Sequence, residues 1–357
     1  RRFSLMRSEA VLALLAGLLS LGVYLRTLAP DVLDGDCGEF QYASYSLGLP
    51  HPTGYPLYVL LGWLWSFLPI GTIAYRMNLL SAVTAALAVA GTFCLARQFG
   101  ISRPAALSAS LTLAFSALFW SQAVIAEVYA LNALLIVLTL NLAVASRRAR
   151  GPRQYRLLQA TAVSFGFGLA HHRTILFILP GLIIFLWPVL SSLWRQPRKL
   201  VGLSLALVLP LTLYLYIPFR APQLGVLGSL RYALGSSYLG ILWRQSFLQL
   251  LSRLVSLGTL SIDQFTVAGI VVGSAGMVLS IRQQRRLALL IGSTVLAATL
   301  FCLEYDVFDV AVFILPAYIV GAICLGLGMD LGCSLLHRCP SMPSPAAALV
   351  ILALPAG

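Results

Sequence analysis

Charge is scarce in this chain, and lysine is almost missing. Only 10% of its 357 residues are Asp, Glu, Lys or Arg, and Lys199 is the single lysine beside 23 arginines. Soluble domains carry roughly 25% charged residues, so a soluble globular protein is excluded. Disorder is excluded too, because disordered chains combine high charge with low hydrophobicity. Here 59% of the residues are apolar and the mean hydropathy is +0.91. The six cysteines (37, 94, 302, 324, 333 and 339) contain no Cys-x-x-Cys pair, which leaves no evident zinc site or disulfide framework. Walker A, GxGxxG, GxSxG and HExxH signatures are also missing, so nucleotide-dependent and serine-hydrolase chemistries have no support.

What is present is a succession of long apolar runs. A membrane-crossing helix needs about 20 mostly apolar residues. Runs of this kind predict spans near 8–26, 76–97, 104–121, 125–145, 157–171, 174–194, 199–217, 263–281, 286–303, 308–328 and a last one at 345–357. The expected fold class is therefore all-α: a polytopic membrane protein of about 10–11 transmembrane helices in a single domain over residues 1–357. The first run is read as a helix, since more membrane follows it and no cleavage site does. The chain lacks an initiating Met and stops in an apolar run. The sequence is accordingly expected to be a fragment without a C-terminal soluble domain.

Arginine sets the expected orientation. With a cytoplasmic N-terminus, alternate loops place 17 of 24 basic residues inside: Arg1, Arg2 and Arg7; Arg97 and Arg103; Arg147, Arg148, Arg150, Arg153 and Arg156; Arg195, Arg198 and Lys199; Arg282, Arg285 and Arg286; and Arg338. This satisfies the positive-inside rule. Spread through loops in this way, the net charge of +13 does not point to a nucleic-acid partner. The acids go the other way. Asp31, Asp34, Asp36, Glu39, Glu127, Asp263, Glu304, Asp306 and Asp309 all fall outside. So do the two long loops, 27–75 and 218–262. Long loops in compact architectures are usually functional, so chemistry is expected on this face, with loop 27–75 catalytic. Tyr55–Leu68 reads as a short re-entrant or interfacial piece, and 237–256 as an amphipathic helix lying in the interface.

Asp36 and Glu39 stand three apart, on one face of any helical turn. Mutual repulsion raises at least one of two such carboxyl groups, which suits general-base work. The plainer account is a helix start with Asp36 as N-cap and Glu39 at N3. His51, Tyr55 and Tyr58 surround a Pro/Gly turn and can line a pocket, or can anchor a rigid interfacial turn. Glu127, in a segment with Tyr129 and Asn132, sits where a helix dipole favours an acid, yet ionisable groups at membrane level are usually functional. His171, His172, Arg173 and Arg220 stand at outer helix ends. An Arg/His set of this kind suits a phosphate, while Arg220 alone could be a snorkelling anchor. Asp306 could orient an acceptor or pair with Arg173 or Arg220. No cofactor is expected; a divalent metal is permitted by these carboxylates and histidines without being argued by them.

These segments resemble the GT-C glycosyltransferases, membrane enzymes that use polyprenyl-phosphate sugars. More narrowly they resemble a bacterial branch related to the transmembrane-type protein O-mannosyltransferase of the endoplasmic reticulum. The resemblance covers roughly residues 10–325. It rests on Gly35-Asp-Cys-Gly-Glu-Phe40, His51-Pro-Thr-Gly-Tyr-Pro-Leu-Tyr58, Ala74-Tyr-Arg-Met-Asn-Leu-Leu-Ser81, Ala126-Glu-Val-Tyr-Ala-Leu-Asn132, Gly168-Leu-Ala-His-His-Arg-Thr174 and Tyr216-Ile-Pro-Phe-Arg220. It implies Asp36 as general base with Glu39 as a supporting acid. By position it also implies contacts from His172, Arg173 and Arg220 to the lipid phosphate. The expected function is inverting transfer of mannose or another hexose from a polyprenyl-phosphate donor to an acceptor hydroxyl on a protein, lipid or glycan. The expected place is the periplasmic face of a bacterial inner membrane, or the lumenal face of the endoplasmic reticulum in a eukaryote. The alternative is a non-catalytic binder or transporter of lipid-linked sugar, or an accessory subunit of a membrane complex.

Overall fold

The computed structural model describes residues 2–336; the expected span at 345–357, Arg338 and Cys339 lie outside them. The described residues form helices and connecting turns with no strand. In chain order the helices are α1 (Arg2–Thr27), α2 (Asp36–Ser46), α3 (Pro56–Trp65), α4 (Ile73–Gln98), α5 (Arg103–Phe115), α6 (Ala117–Ala123), α7 (Val128–Arg148), α8 (Gly151–His171), α9 (Leu179–Leu193), α10 (Pro197–Val208), α11 (Tyr216–Arg220), α12 (Gly225–Ala233), α13 (Phe247–Gln283), α14 (Arg285–Glu304) and α15 (Leu315–Leu336).

Among the described residues eight spans are long and apolar enough to cross a membrane, and a ninth arises if α5 and α6 count as one, bent by 66°. Ten of the eleven expected spans fall among the described residues, so the count there is one or two lower. One reason is α8, which covers the predicted span at 157–171 but starts with Arg153, Gln154, Arg156 and Gln159 and is too polar to qualify by composition. It still packs along α7 inside the bundle.

The helices begin and stop for local reasons. Thr72 caps α4 by accepting from the Tyr75 amide, and Ser102 caps α5 ahead of Pro104. At Ser116 the backbone turns extended and separates α5 from α6. That break frees the Leu118 amide, which donates to the buried Gln264 side chain at 2.7 Å. Gln264 itself precedes a kink in α13 at Thr266, whose φ is +58°. One helix break therefore satisfies a backbone donor with a side chain set beside another, as an apolar surround requires.

Close packing depends on small residues. A Cβ on Gly276 of α13 would fall 1.9 Å from the Cys324 carbonyl of α15, so only glycine permits this approach. The stretch 237–256, expected as one amphipathic helix, divides between two elements. Residues Ser236–Ile241 form a 3₁₀ turn, and Ser246 caps α13, whose first part runs to the kink at Thr266 and whose second part covers most of the predicted span at 263–281. The capping box of Ser246 with Gln249 is the local cause.

Candidate active site

The site is built on loop 28–72, carried by α2 and α3. Gly35, at φ +72°, caps α2, so Asp36 is the first helical residue and not the cap. Its carboxylate is left free for other work, in a first turn where the helix dipole favours negative charge. Glu39, one turn on, binds His51 twice: it accepts from the His51 amide at 2.9 Å and meets Nδ1 of the same imidazole. His51 Nε2 then reaches the Tyr55 hydroxyl at 3.2 Å. Phe40 is fully buried and holds the edges of Tyr55 and Tyr58 at 5.1 and 5.2 Å. Tyr55 accepts a left-handed conformation (φ +42°) so that Pro56 can start α3.

More distant parts of the chain pin this loop down. Tyr216 donates to the Gly48 carbonyl at 2.7 Å and Tyr232 to the Pro50 carbonyl at 2.6 Å. Gln41 donates to Asn78 at 3.0 Å, and Asn78 donates in turn to the Ala29 carbonyl at 2.7 Å. Arg76 bonds three carbonyls, those of Ser66, Ile70 and Gly71. Loop 28–72 is therefore a folded platform held at both ends.

Above the platform lies a cavity of about 410 Å³. Asp36, His51, Tyr55, Tyr129, His172 and Asp309 give it a polar region, and Leu176, Phe177, Leu239, Leu242, Phe301 and Phe313 give it an apolar wall. Arg173 lines the cavity with its guanidinium donating to the Leu234 carbonyl at 2.8 Å and also to that of Ala233. His172 is set by a hydrogen-bond chain. Asn132 donates to the Thr174 hydroxyl at 2.7 Å, that hydroxyl lies 2.8 Å from His172 Nδ1, and the Thr174 amide also points at Nδ1. An Nδ1 that accepts leaves the proton on Nε2. Burial, followed by the neighbouring charges of His171, Arg173 and His51, lowers His172 to about 3, so the ring is a neutral donor at neutral pH.

Asp36, Glu39, Glu127 and Asp309 lie close enough to influence one another. Burial, reinforced by the charges of Asp36, Asp309 and Glu39, raises Glu127 to about 8. Its backbone is fixed by Ser81, whose hydroxyl accepts from the Glu127 amide at 3.3 Å. Burial, helped by the Asp36 charge, also pushes the Asp309 carboxyl up. One ligand atom from each of Asp36, Glu39 and His51 fits within a 4.8 Å span. Two carboxylates and an imidazole are a suitable donor set for a divalent cation, although Glu39 and His51 already satisfy one another.

The residues singled out in the sequence divide into three groups. Asp36, His51, Tyr55, Tyr129, His172 and Arg173 line one cavity. Glu39, Tyr58, Asn132, Glu127 and His171 are outside its lining: Glu39 steadies His51, Asn132 steadies Thr174, and Tyr58 stacks with His171 at 6.1 Å. His171 is fully buried with Nε2 on the Val128 carbonyl at 2.8 Å. Arg220 donates to the Ser46 carbonyl at 3.3 Å, and Asp306 pairs with Arg253 on α13 and not with Arg173 or Arg220. The four residues expected around a phosphate are thus not gathered in one place. Asp309, Tyr238 and Tyr305 line the cavity without having been singled out as pocket residues. Tyr305 sits among Glu304, Asp306 and Asp309, the only signal that pointed to its position. Tyr238 was hidden inside a stretch read as amphipathic helix.

Residues 36–192 match the family model described as the protein O-mannosyl-transferase TMEM260 N-terminal domain. Over 221 residues the chain is 33% identical to protein O-mannosyl-transferase TMEM260 of Mus musculus, which involves 61% of this chain and 31% of the mouse protein. The chain is related to the TMEM260 protein O-mannosyl-transferases. The Dictyostelium discoideum tmem260 protein is 25% identical over 170 residues, 44% of this chain and 21% of its own length. The chain thus spans less than a third of either relative where they match. Among solved structures, ArnT from Cupriavidus metallidurans bound to undecaprenyl phosphate superposes with a TM-score of 0.62 at 15% identity, covering 99% of this chain and 70% of ArnT. The apo form of the same protein gives 0.61, over 95% and 64%. The fold is therefore the GT-C membrane fold, and the chain is an integral membrane protein.

Proposed function

We propose that this protein transfers a hexose, mannose in the first instance, from a polyprenyl-phosphate donor to an acceptor hydroxyl, with Asp36 as general base. The observation that carries the reading is the mixed polar and apolar lining of the cavity. Asp36 shares the cavity with tyrosines and histidines, and its aliphatic and aromatic lining offers an apolar surface for the first isoprene units. Both the relationship to protein O-mannosyl-transferases and the fold shared with an undecaprenyl-phosphate-binding protein support it.

Asp36 takes the proton of the acceptor hydroxyl as its oxygen bonds to the anomeric carbon. The bond from that carbon to the phosphate oxygen breaks, and the electron pair leaves with the polyprenyl phosphate. Attack opposite the leaving group inverts the anomeric centre. General-base help of this kind is worth typically 10²–10⁴-fold. Arg173 and the Nε2–H of His172 stabilise charge on the departing phosphate. Glu39 and Asn132 act at one remove, holding His51 and Thr174. Glu127 keeps its proton at neutral pH and so limits the negative charge around the base. The reading puts the cavity on the face opposite the arginine-rich loops, periplasmic or lumenal by the positive-inside rule.

The test is transfer of label from radiolabelled polyprenyl-phosphate mannose in detergent, comparing wild type with Asp36→Asn, each with and without EDTA. Label moving to an acceptor or to water with wild type alone supports the assignment. Equal transfer by both proteins removes Asp36 from the mechanism. Loss of transfer in EDTA, restored by added divalent ion, would bring the Asp36, Glu39 and His51 donor set into the chemistry.

A further inference from the structure

At the end of the bundle away from the active-site cavity, α7 finishes at Arg148 and α14 begins at Arg285. A second cavity of about 340 Å³ lies there, walled by Arg147, Phe185, Gln284, Arg285, Arg286 and Leu287. Half of its lining residues are arginines and none is acidic. The nearby acids are engaged elsewhere. Glu9 bonds both Arg97 and Arg103, at 2.8 and 2.9 Å, and Asp330 accepts from the backbone and hydroxyl of Ser102.

Arg147 lies over the Phe185 ring, 4.5 Å from its centroid, which fixes the direction of its guanidinium. None of Arg147, Arg285 and Arg286 has a hydrogen bond or ion pair among the described residues, and Arg147 and Arg286 sit close enough to repel. Arg285 and Arg286 are exposed and Arg147 is half-buried, so water and salt screen part of this repulsion, and a bound anion would relieve the rest. The start of α14 adds to the demand. Gln284 gives no side-chain cap; its amide is spent on the Phe99 carbonyl, and the backbone amides of Arg285 and Arg286 find no acceptor. Free amides at a helix start favour anions.

We propose that this second cavity binds a phosphate group, carried by an anionic phospholipid head group or by free phosphate. Guanidinium forks match the tetrahedral oxygens of a phosphate, and the cavity lies where the spans end, at the depth of bilayer head groups. The positive-inside rule explains why arginine is common in these loops. It does not explain three unpaired arginines around one cavity, one of them stacked on a buried ring. The site is independent of the proposed transfer reaction.

Native mass spectrometry of the protein in detergent tests this, with phosphatidylglycerol, phosphate-free diacylglycerol and inorganic phosphate as separate probes. One equivalent of phosphatidylglycerol or of phosphate should bind. Arg285→Gln/Arg286→Gln should weaken it by about tenfold or more, the loss expected when charge-assisted hydrogen bonds disappear. Arg195→Gln/Arg198→Gln removes the same charge at the same end, outside the cavity, and should bind as wild type does. Binding of the lipid without the inorganic ion identifies a head group as the source; binding of the ion alone identifies free phosphate. Equal losses in both double variants, no loss in the first, or diacylglycerol binding as well as phosphatidylglycerol would each overturn the proposal. Arg286→Gln alone serves if the double variant fails to keep its thermal unfolding midpoint.

Discussion

At the cavity end, Asp36, Glu39, Glu127 and Asp309 stand among tyrosines and histidines; at the other end Arg97 and Arg103 share Glu9, while Arg147, Arg285 and Arg286 line a cavity without an acid. Both ends are rich in polar side chains, but they use them differently. At the cavity end the polar groups are arranged in depth. Glu39 holds His51 and Asn132 holds Thr174, so the His51 and His172 rings facing the cavity have fixed directions. At the arginine end Glu9 joins two arginines that are each about one third exposed, a pairing that ties helix ends together. The difference teaches that density of charge does not mark a reactive site. A supporting layer behind the exposed groups does, because preorganised groups need no rearrangement as charge develops.

Removing the base should have the largest effect. Asp36→Asn should lower transfer by about 10²–10⁴-fold with an unchanged thermal unfolding midpoint. A normal rate would erase the contrast between the two ends.

Next comes the cavity's one arginine. Arg173→Gln should lower kcat/KM by about tenfold to a hundredfold, the worth of one charged hydrogen bond. Because Arg173 also bonds the carbonyls of Ala233 and Leu234, Arg173→Lys should recover only part of the rate; full recovery would show that charge alone matters.

Glu127 sharpens the comparison through pH. The folded protein keeps a proton that the unfolded chain releases near the ordinary value of 4.5, and gives it up only near about 8. Folding therefore takes up a proton in this window. The stabilisation is complete below the unfolded value and is lost as pH rises through the folded one. The unfolding midpoint in detergent should fall as pH rises across that window, and Glu127→Gln should flatten the fall. A Glu127→Gln profile as steep as wild type would assign the pH dependence to another group.

The smallest effect belongs to the arginine end. Glu9→Gln should cost no more than about 1 kcal/mol of stability, as for partly exposed ion pairs, and leave transfer untouched. A loss of activity there would mean that the two ends are coupled through the bundle.

Much of this was legible in the residues. Apolar runs gave the helical membrane class, since period and length follow from the solvent each helix meets. The Gly35–Phe40 and His51–Tyr58 motifs marked the loop that carries the candidate site, because turn chemistry and paired acids leave local signatures. The neighbourhoods across the chain were not legible. Nothing in the sequence says that Glu39 is spent on His51, that Asp306 faces Arg253, or that His171 points away from the cavity its neighbour lines. Nor does it say that 237–256 would divide between a 3₁₀ turn and the first part of α13. The physical reason is one of range. Helix, turn and membrane preference are settled within a few residues, and the sequence by itself determined those. Which carboxyl stays free, which histidine keeps its proton on Nε2, and which arginines are left without partners depend on side chains brought together from distant spans, and only the tertiary structure decided them.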